Sequence, residues 1–144
     1  MQKTEYKQYA EKHTPDSPMG KNLTWAFLVG GAICTVGQLL GDFFRSRGME
    51  QDAVSAAVSI SLIFLSILFT GLDLYDGLAK HAGAGTLVPI TGFANAVASP
   101  AMEFKTEGYI LGLGAKMFVV AGPVITYGVV SSILAGVIYY LFLM

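Results

Sequence analysis

The stretch HAGAGTLVPITGFANAVASPAM, residues 81–102, decides the fold because it is apolar enough for a membrane and too broken for one helix. It contains no Asp, Glu, Lys or Arg, yet five residues interrupt it: Gly83, Gly85, Pro89, Gly92 and Pro100. Proline removes a backbone donor and clashes with the preceding helical turn. Backbone groups freed in this way cannot face lipid, since no partner is available there. We therefore predict that residues 81–102 are not a continuous helix and that the broken backbone packs in protein or lines a wet cavity.

Three further windows without a charged residue accompany this stretch. Residues 22–41 and 53–72 contain twenty residues each, and residues 117–144 contain twenty-eight. About twenty apolar residues are enough to cross the roughly 30 Å hydrocarbon core of a bilayer. The sequence thus predicts an all-α, polytopic helical membrane protein with about four hydrophobic segments, at least one of them broken or re-entrant. A soluble protein with buried helices is the alternative that these windows disfavour.

The chain divides into a polar tail, residues 1–21, and a transmembrane domain, residues 22–144. The tail mixes four lysines with three acidic residues, and Pro15 and Pro18 make its last part a linker into the membrane. A solvated tail is the favoured interpretation, with docking of a partner as the alternative.

Composition excludes several classes of function. Charged residues make up 13% of the chain, against roughly 25% in soluble domains. The net charge of −1 provides no basic face for nucleic acid. Cys34 is the only cysteine, and His13 and His81 lack metal-ligand spacing. No serine stands in a G-x-S-x-G setting. We expect no enzyme activity, no catalytic residues, no metal site and no cofactor.

Lysine and arginine indicate the orientation, because cytoplasmic loops are enriched in them. If all four windows cross, five of these residues lie on one side and four on the other. If residues 81–102 dip in and return, Lys105 and Lys116 join the N-terminal side, and the count becomes seven against two. The bias favours a cytoplasmic N-terminus and a re-entrant third segment. The alternative is that the third segment crosses the membrane as a broken helix.

A few polar or small residues inside the apolar windows need a structural reason. Gly37 and Gly41 form a GxxxG pair, which usually means close helix packing. Gln38 and Asn95 place side-chain amides among apolar neighbours. Lys116 is either an interfacial lysine that extends to the headgroups or a cation near a conduction path.

Two motifs resemble a known family. AFLVGGAICTVGQ at 26–38 and GAGTLVPITGFANAVASPAMEFKTEG at 83–108 are similar to the stage V sporulation protein A membrane subunits, and the resemblance extends over about residues 22–140. The polar N-terminal tail is closer to the AC type than to the shorter AE type. The resemblance implies a complex in the inner membrane of bacterial spores that moves dipicolinic acid, with calcium, into the developing spore and out at germination. It also implies two partners, an AE-type membrane subunit and a soluble, thiolase-like AD subunit.

A path for such a solute needs polar contacts without a strong fixed charge, and broken helices supply them through half-helix N-termini and free carbonyls. The glycines let the backbone approach a ligand, and the side chains of Gln38, Thr91 and Asn95 offer hydrogen bonds. A structural subunit that anchors a soluble partner and a tension-gated, nonselective pore are the alternatives. The amides are unexplained if the protein is only an anchor. The candidate path residues are Gly37, Gln38, Gly83, Gly85, Pro89, Thr91 and Asn95.

Overall fold

The described chain folds into helices joined by short connections. The structure, a computed structural model, describes Tyr6, Tyr9 and residues 17–143, so most of the predicted polar tail lies outside the described residues. A 3₁₀ turn, Lys105–Glu107, and a π-helical segment, Tyr109–Gly114, precede the last helix. The prediction of an all-α protein is confirmed. The α-helices are α1 (Met19–Ser46), α2 (Gln51–Gly71), α3 (Leu74–Ala82), α4 (Ala84–Leu87), α5 (Ile90–Glu103) and α6 (Ala115–Leu143).

Among the described residues, three helices are long and apolar enough to cross a membrane. They are Met19–Ser46, Gln51–Gly71 and Tyr109–Phe142, with 28, 21 and 34 residues. They correspond to the first, second and fourth uncharged windows. The third window contributes none, because its longest helix, α5, has 14 residues and is about 21 Å long. The chain is therefore a membrane protein with three candidate spans and one shorter, broken segment.

The broken segment changes direction at two residues. Gly83 separates α3 from α4 with φ 49° and ψ −117°, a conformation that L side chains rarely adopt. Pro89 then stands in extended conformation immediately before α5. Pro100, by contrast, lies inside α5, so not every residue predicted to interrupt the helix does so. The prediction that residues 81–102 are not a continuous helix is confirmed.

Residues 83–103, called the hairpin below, enter and leave at the same end of the bundle. The Ser66 hydroxyl contacts Thr91, and the Thr70 hydroxyl contacts Asn95 four residues further along both helices. Helix α5 therefore runs in the same direction as α2 and returns to the end at which α2 terminates. Helix α6 begins from that end and passes back along α5. This geometry is the re-entrant alternative that the lysine and arginine count favoured.

Glycines permit the hairpin to approach α1 at backbone distance. A Cβ atom added at Gly85 would overlap the backbone of Ala26, and one added at Gly30 would lie 3.3 Å from the carbonyl oxygen of Gly85. Within the hairpin, a Cβ at Gly92 would overlap the carbonyl groups of Thr86 and Leu87. Helix α4 is thus held against α1, and α5 against α4, by contacts that any side chain would prevent.

The GxxxG pair of α1 packs against α2, as the spacing predicts. A Cβ at Gly37 would lie 3.4 Å from the Leu62 side chain, and one at Gly41 would lie 3.7 Å from Val58. Gly41 is buried. The pair therefore lets α1 lie close to the apolar side chains of α2.

The second half of α6 extends away from these contacts. Every described side chain from Pro123 to Phe142 is exposed, and Cβ atoms at Gly128 and Gly136 would meet nothing within 4 Å. Pro123 does not interrupt the helix. This half of α6 presents its apolar side chains to the bilayer or to other proteins.

Replacing Gly85 by alanine should destabilise the fold, because the new methyl group would occupy the space of the Ala26 backbone. Overpacking of this kind costs about 1–3 kcal/mol. Thermal unfolding in detergent should show a lower midpoint for Gly85→Ala than for Gly31→Ala. Gly31 is a neighbour of Gly30 on α1 and has open space around its Cβ position. Equal midpoints for the two variants would contradict the packing described for α4.

The re-entrant geometry predicts the sidedness of three engineered cysteines in a Cys34→Ser background. The exposed positions are Lys21→Cys, Met49→Cys and Lys105→Cys. A membrane-impermeant thiol reagent should label the first and third from one side of the membrane and the second from the other. Labelling of the Lys105 position together with the Met49 position would show that residues 81–102 cross the bilayer.

Candidate functional site

The hairpin brings together five of the seven predicted path residues. Gly83 forms its first break, Gly85 contacts α1, and Pro89 is where the chain reverses. Thr91 and Asn95 follow on α5, one helical turn apart, and both face α2. Gly37 and Gln38 lie on α1 instead.

Buried hydroxyl groups fasten the hairpin to the rest of the bundle. Ser66 of α2 is fully buried and donates to the Thr91 carbonyl at 2.6 Å. Tyr75 of α3 is also buried and donates to the Thr86 carbonyl at 2.8 Å. The Thr86 hydroxyl donates to the Gly83 carbonyl at 3.0 Å. The Thr86 carbonyl at the turn is thereby satisfied inside the protein, as membrane depth requires. The Gly83 carbonyl also accepts from the backbone N–H groups of Thr86 and Leu87, and the Thr91 carbonyl lies inside α5.

Asn95 has its polar partner on α2. The Thr70 hydroxyl lies 2.9 Å from Asn95 Oδ1 and 2.7 Å from the Ser66 carbonyl oxygen. A hydroxyl has a single proton and can donate to one of these acceptors at a time. The Asn95 amide is half-buried and therefore retains hydrogen-bonding capacity for another group.

Thr91 is the exception among the buried hydroxyl groups. Its side chain is 6% exposed, and its Oγ1 has no hydrogen-bond partner among the described residues. Thr91 is the second residue of α5, whose N-terminus carries no side-chain cap. The first N–H groups of a helix have no partner within it. At this N-terminus the Gly92 N–H is bonded to the Pro89 carbonyl at 2.9 Å, so its donors are satisfied in part.

Two of the cavities beside the hairpin lie at different depths and contain Asn95 and Thr91. The first, called the polar mouth, measures about 510 Å³ and lies where α2 ends and α5 returns. The second, called the apolar cavity, measures about 350 Å³ and lies between α1, α2, α3 and the start of α5. Asn95 and Thr70 line the polar mouth, and Thr91 and Ser66 line the apolar cavity. Asn95 and Thr91 therefore belong to two separate cavities, one turn apart along α5.

The polar mouth carries an excess of negative charge. Asp73, Asp76 and Glu103 line it. Lys80 forms an ion pair with Asp76 at 2.7 Å, and this hydrogen bond and charge raise the pKa of Lys80 above its usual value. Among the described residues, no group of three His, Cys, Asp or Glu side chains is close enough to hold a metal ion. The three carboxylates give the mouth a negative field, which Lys80 offsets in part.

Gln38 lies apart from the hairpin. Its side-chain nitrogen donates to Asp42 on the same helix at 2.9 Å, and Asp42 also accepts from Arg45 at 3.2 Å. The neighbouring Gly37 packs at the level of Val58 and Leu62, two to three turns of α2 before Thr70. Helix α2 terminates near the polar mouth, so Gln38 belongs to a different level of the bundle. The assignment of Gly37 and Gln38 to the path stays a prediction.

Lys116 contacts an aromatic ring near the start of α6. Its Nζ lies 4.5 Å from the centroid of the Phe104 ring, a distance typical of a cation–π contact. Lys116 is half-buried. The contact fixes the ammonium group beside the end of α5, and it favours neither of the two interpretations of this lysine.

The sequence reasoning missed the residues of α2 and α3 that hold the hairpin. A signal for two of them exists: Ser66 and Thr70 are four residues apart, as are Thr91 and Asn95. Residues at this spacing lie on one helix face. Two polar pairs of equal spacing in apolar segments indicate two helices that contact each other through those faces. Tyr75 gives no such signal, because its partner is a backbone carbonyl.

Comparison with known proteins identifies the family to which the chain belongs. The family model of SpoVAC/SpoVAEB sporulation membrane proteins matches residues 22–138. The chain belongs to this family. It is 41% identical over 141 residues to stage V sporulation protein AC of Bacillus subtilis (strain 168), a match that covers 97% of the chain and 94% of that protein. No solved structure matches the chain.

The SpoVAC/SpoVAEB match covers the whole candidate site. Residues 22–138 include the hairpin, nearly all of α1, the helices α2 and α3, and most of α6. The recognition made from the two sequence motifs is therefore confirmed, and the protein is a membrane protein of the sporulation family.

The Ser66 hydrogen bond predicts a selective loss of stability. Ser66→Ala removes a buried donor and leaves the Thr91 carbonyl with less support, at a cost of about 1 kcal/mol. Ser55→Ala, on the same helix, removes only an exposed bond to the Gln51 carbonyl and should be close to neutral. Thermal unfolding of both variants in detergent tests this difference. A Ser66 variant as stable as the Ser55 variant would show that the hairpin is held by other contacts.

Proposed function

We propose that this protein is a membrane subunit of a transport complex that moves dipicolinic acid, with calcium, across the spore inner membrane during sporulation and germination. Membership of the sporulation family provides the setting, and the re-entrant hairpin is the observation that carries the proposal. A hairpin that stops inside the membrane and returns contributes nothing to spanning it. Such segments occur in membrane proteins where backbone lines a route for ions or small solutes.

The charge of the polar mouth is consistent with a calcium-bound solute. Free dipicolinate carries two carboxylates and would be repelled by Asp73, Asp76 and Glu103. The complex with one Ca²⁺ is neutral, and calcium itself prefers oxygen ligands of the carboxylate type. Below the carboxylates, the Asn95 amide and the Thr70 hydroxyl offer polar contacts without charge. This order of groups favours entry of the neutral complex.

The partners and the orientation belong to the same proposal. The resemblance implies an AE-type membrane subunit and a thiolase-like AD subunit as partners. The N-terminus is cytoplasmic in this proposal, because the sequence count for a re-entrant third segment assigns seven of nine Lys and Arg residues to the N-terminal side. The polar mouth then opens on the cytoplasmic side, since α2 ends and α6 begins there.

Two other functions use the same helices. A structural subunit would only anchor the soluble partner, and a tension-gated pore would release solutes without selection. The half-buried Asn95 beside a polar cavity argues against a pure anchor. Selectivity separates the transporter from the tension-gated pore.

Flux through reconstituted complexes tests the proposal. Liposomes should contain this chain alone and then with its AE-type partner, and dipicolinate flux should be measured with and without Ca²⁺. Asn95→Leu should leave the complex assembled and change dipicolinate flux by about two- to tenfold, the effect of one hydrogen bond on a barrier. Gln38→Leu is the matched variant, because it makes the same chemical change at the other level of the bundle.

Each result has a defined meaning. Unchanged flux per assembled Asn95→Leu complex, with lower stability or assembly, would favour the structural subunit. Equal flux of an uncharged sugar of similar size would favour the nonselective pore. A flux change in Gln38→Leu would extend the path to α1, and an unchanged flux would confine it to the hairpin.

A further inference from the structure

A groove runs along α1 where this helix faces the start of the hairpin. Two cavities of about 420 Å³ and about 310 Å³ form it, and they adjoin at Ala26 and Ala84, which line both. The first cavity includes Asn22, and the second reaches Cys34, about 18 Å further along α1. The hydrocarbon of one leaflet is about 15 Å thick. This groove, called the α1 groove below, therefore has the length of one leaflet.

Glycines make the floor of the deeper part of the α1 groove. Gly30, Gly31 and Gly85 line it, and a Cβ atom added at Gly31 would meet nothing within 4 Å. The side chains of Phe27 and Val88, which line the same part, are 78% and 82% exposed. The groove therefore opens sideways, toward lipid at the depth of the membrane.

The α1 groove is polar at one end only. Lys80 and His81, in the last turn of α3, line its shallow end together with Ser17 and Asn22. The deeper cavity is lined by small and apolar residues and one cysteine. Trp25, a residue type that is enriched at membrane–water interfaces, lies beside His81 with a distance of 6.4 Å between the ring centroids. The groove thus follows the order of a phospholipid, with a polar end at the interface and an apolar part below it.

The shallow end carries positive charge. Lys80 forms an ion pair with Asp76, but an ammonium group has three donors, and Asp76 lines the polar mouth rather than the groove. His81 Nδ1 lies 3.0 Å from the Gly77 carbonyl oxygen, which can only accept, so Nε2 is the ring nitrogen left for a ligand. Lys21 precedes Asn22 and is exposed. None of the described residues that line this end is acidic.

We infer that the α1 groove binds an anionic phospholipid from the leaflet that contains α3. The phosphate oxygens accept hydrogen bonds from the Lys80 ammonium and the protonated imidazole of His81. One acyl chain follows α1 past Ala26 toward Cys34. Basic pockets between membrane helices are known to hold anionic head groups in this way. None of the residues that line the groove lines the polar mouth, so the inference does not depend on the proposed function.

Other occupants fit only one part of the groove. A zwitterionic lipid has no net charge to match the basic end. A free phosphate would satisfy that end and leave the apolar part empty. A helix of a partner is about 10 Å across, so it would cover the groove and leave the basic end without an acceptor. An anionic phospholipid satisfies both parts.

Two charge variants should change lipid preference in opposite directions. Lys80→Gln removes a cation at the basic end and should lower the preference for anionic over zwitterionic lipid about fivefold. Asp76→Asn removes the carboxylate that competes for Lys80 and should raise this preference. An ion pair with a purely structural role would give changes in the same direction. Lys105→Gln is the control, because this exposed lysine lines neither cavity of the groove.

A third variant tests the apolar part. Gly31→Leu places a side chain in the open space of the groove and should block the acyl chain while the fold stays intact. Gly128→Leu makes the same change on α6, where a Cβ atom would also meet nothing within 4 Å, and should leave lipid binding unchanged. Thermal unfolding in detergent checks that both variants are folded.

The fluorescence of Trp25 provides the measurement. It is the only tryptophan of the chain, so its quenching by brominated acyl chains reports on lipid beside the groove. The full chain is placed in phosphatidylcholine nanodiscs with rising fractions of phosphatidylglycerol, and one of the two lipids is brominated in each series. Brominated phosphatidylglycerol should quench at a lower mole fraction than brominated phosphatidylcholine. Unbrominated phosphatidylglycerol should reverse the quenching, and sn-glycerol 3-phosphate should not.

Several results would overturn the inference. Equal quenching by the two brominated lipids, an unchanged preference in Lys80→Gln or unchanged quenching in Gly31→Leu would each do so. Reversal of quenching by sn-glycerol 3-phosphate would show a site for free phosphate instead. Loss of the preference when the AE-type partner is present would show that the groove is a subunit interface.

Discussion

The need to satisfy every backbone group inside a membrane constrains the whole structure, and the reversal at Pro89 is where that need is greatest. A chain that stops and turns back exposes carbonyl and N–H groups where lipid offers no partner. Here the Thr86 carbonyl at the turn accepts the hydroxyl group of Tyr75, and the Ser66 hydroxyl adds a bond to the Thr91 carbonyl inside α5. These bonds require α2, α3 and the hairpin to lie together. The glycine contact between Gly85 and Ala26 then fixes the hairpin against α1.

Near the turn, carbonyl groups have more hydrogen-bond partners than the N–H and hydroxyl donors have. Acceptors near the reversal obtain hydroxyl partners from two other helices, whereas the first N–H groups of α5 have no side-chain cap and the Thr91 hydroxyl has no partner among the described residues. The Gly92 N–H is bonded to the Pro89 carbonyl, so this imbalance is smaller than the four unpaired N–H groups with which a helix begins.

Local features of this fold were predictable, and features that depend on contacts between distant residues were not. The apolar windows and the break near Gly83 and Pro89 follow from composition and backbone chemistry alone. Pro100 shows the limit of prediction from local sequence. It was expected to interrupt the helix, but the surrounding structure tolerates a proline late in α5. Gln38 was grouped with Asn95 because both are amides in apolar segments. Its actual partner, Asp42, is one turn away on the same helix, whereas Asn95 depends on a residue twenty-five positions earlier. Side-chain type alone assigned both amides to the solute path. Only the tertiary contacts show that Gln38 and Asn95 lie at different levels of the bundle.

The described chain cannot enclose a solute path without other walls. The polar mouth and the apolar cavity are both partly open, and the hairpin apex at Val88 is 82% exposed. Every described side chain in the outer half of α6 is exposed, and none of them lines the polar mouth or the apolar cavity. A neutral calcium complex that entered at the polar mouth would pass Asn95 and then meet the open side of the hairpin. On the proposed function, that side must be covered by another subunit, because lipid there would stop the polar edge of the solute. On that proposal the hairpin is one wall of a route whose remaining walls come from partner helices, with α6 and the outer face of α1 as the surfaces available to them.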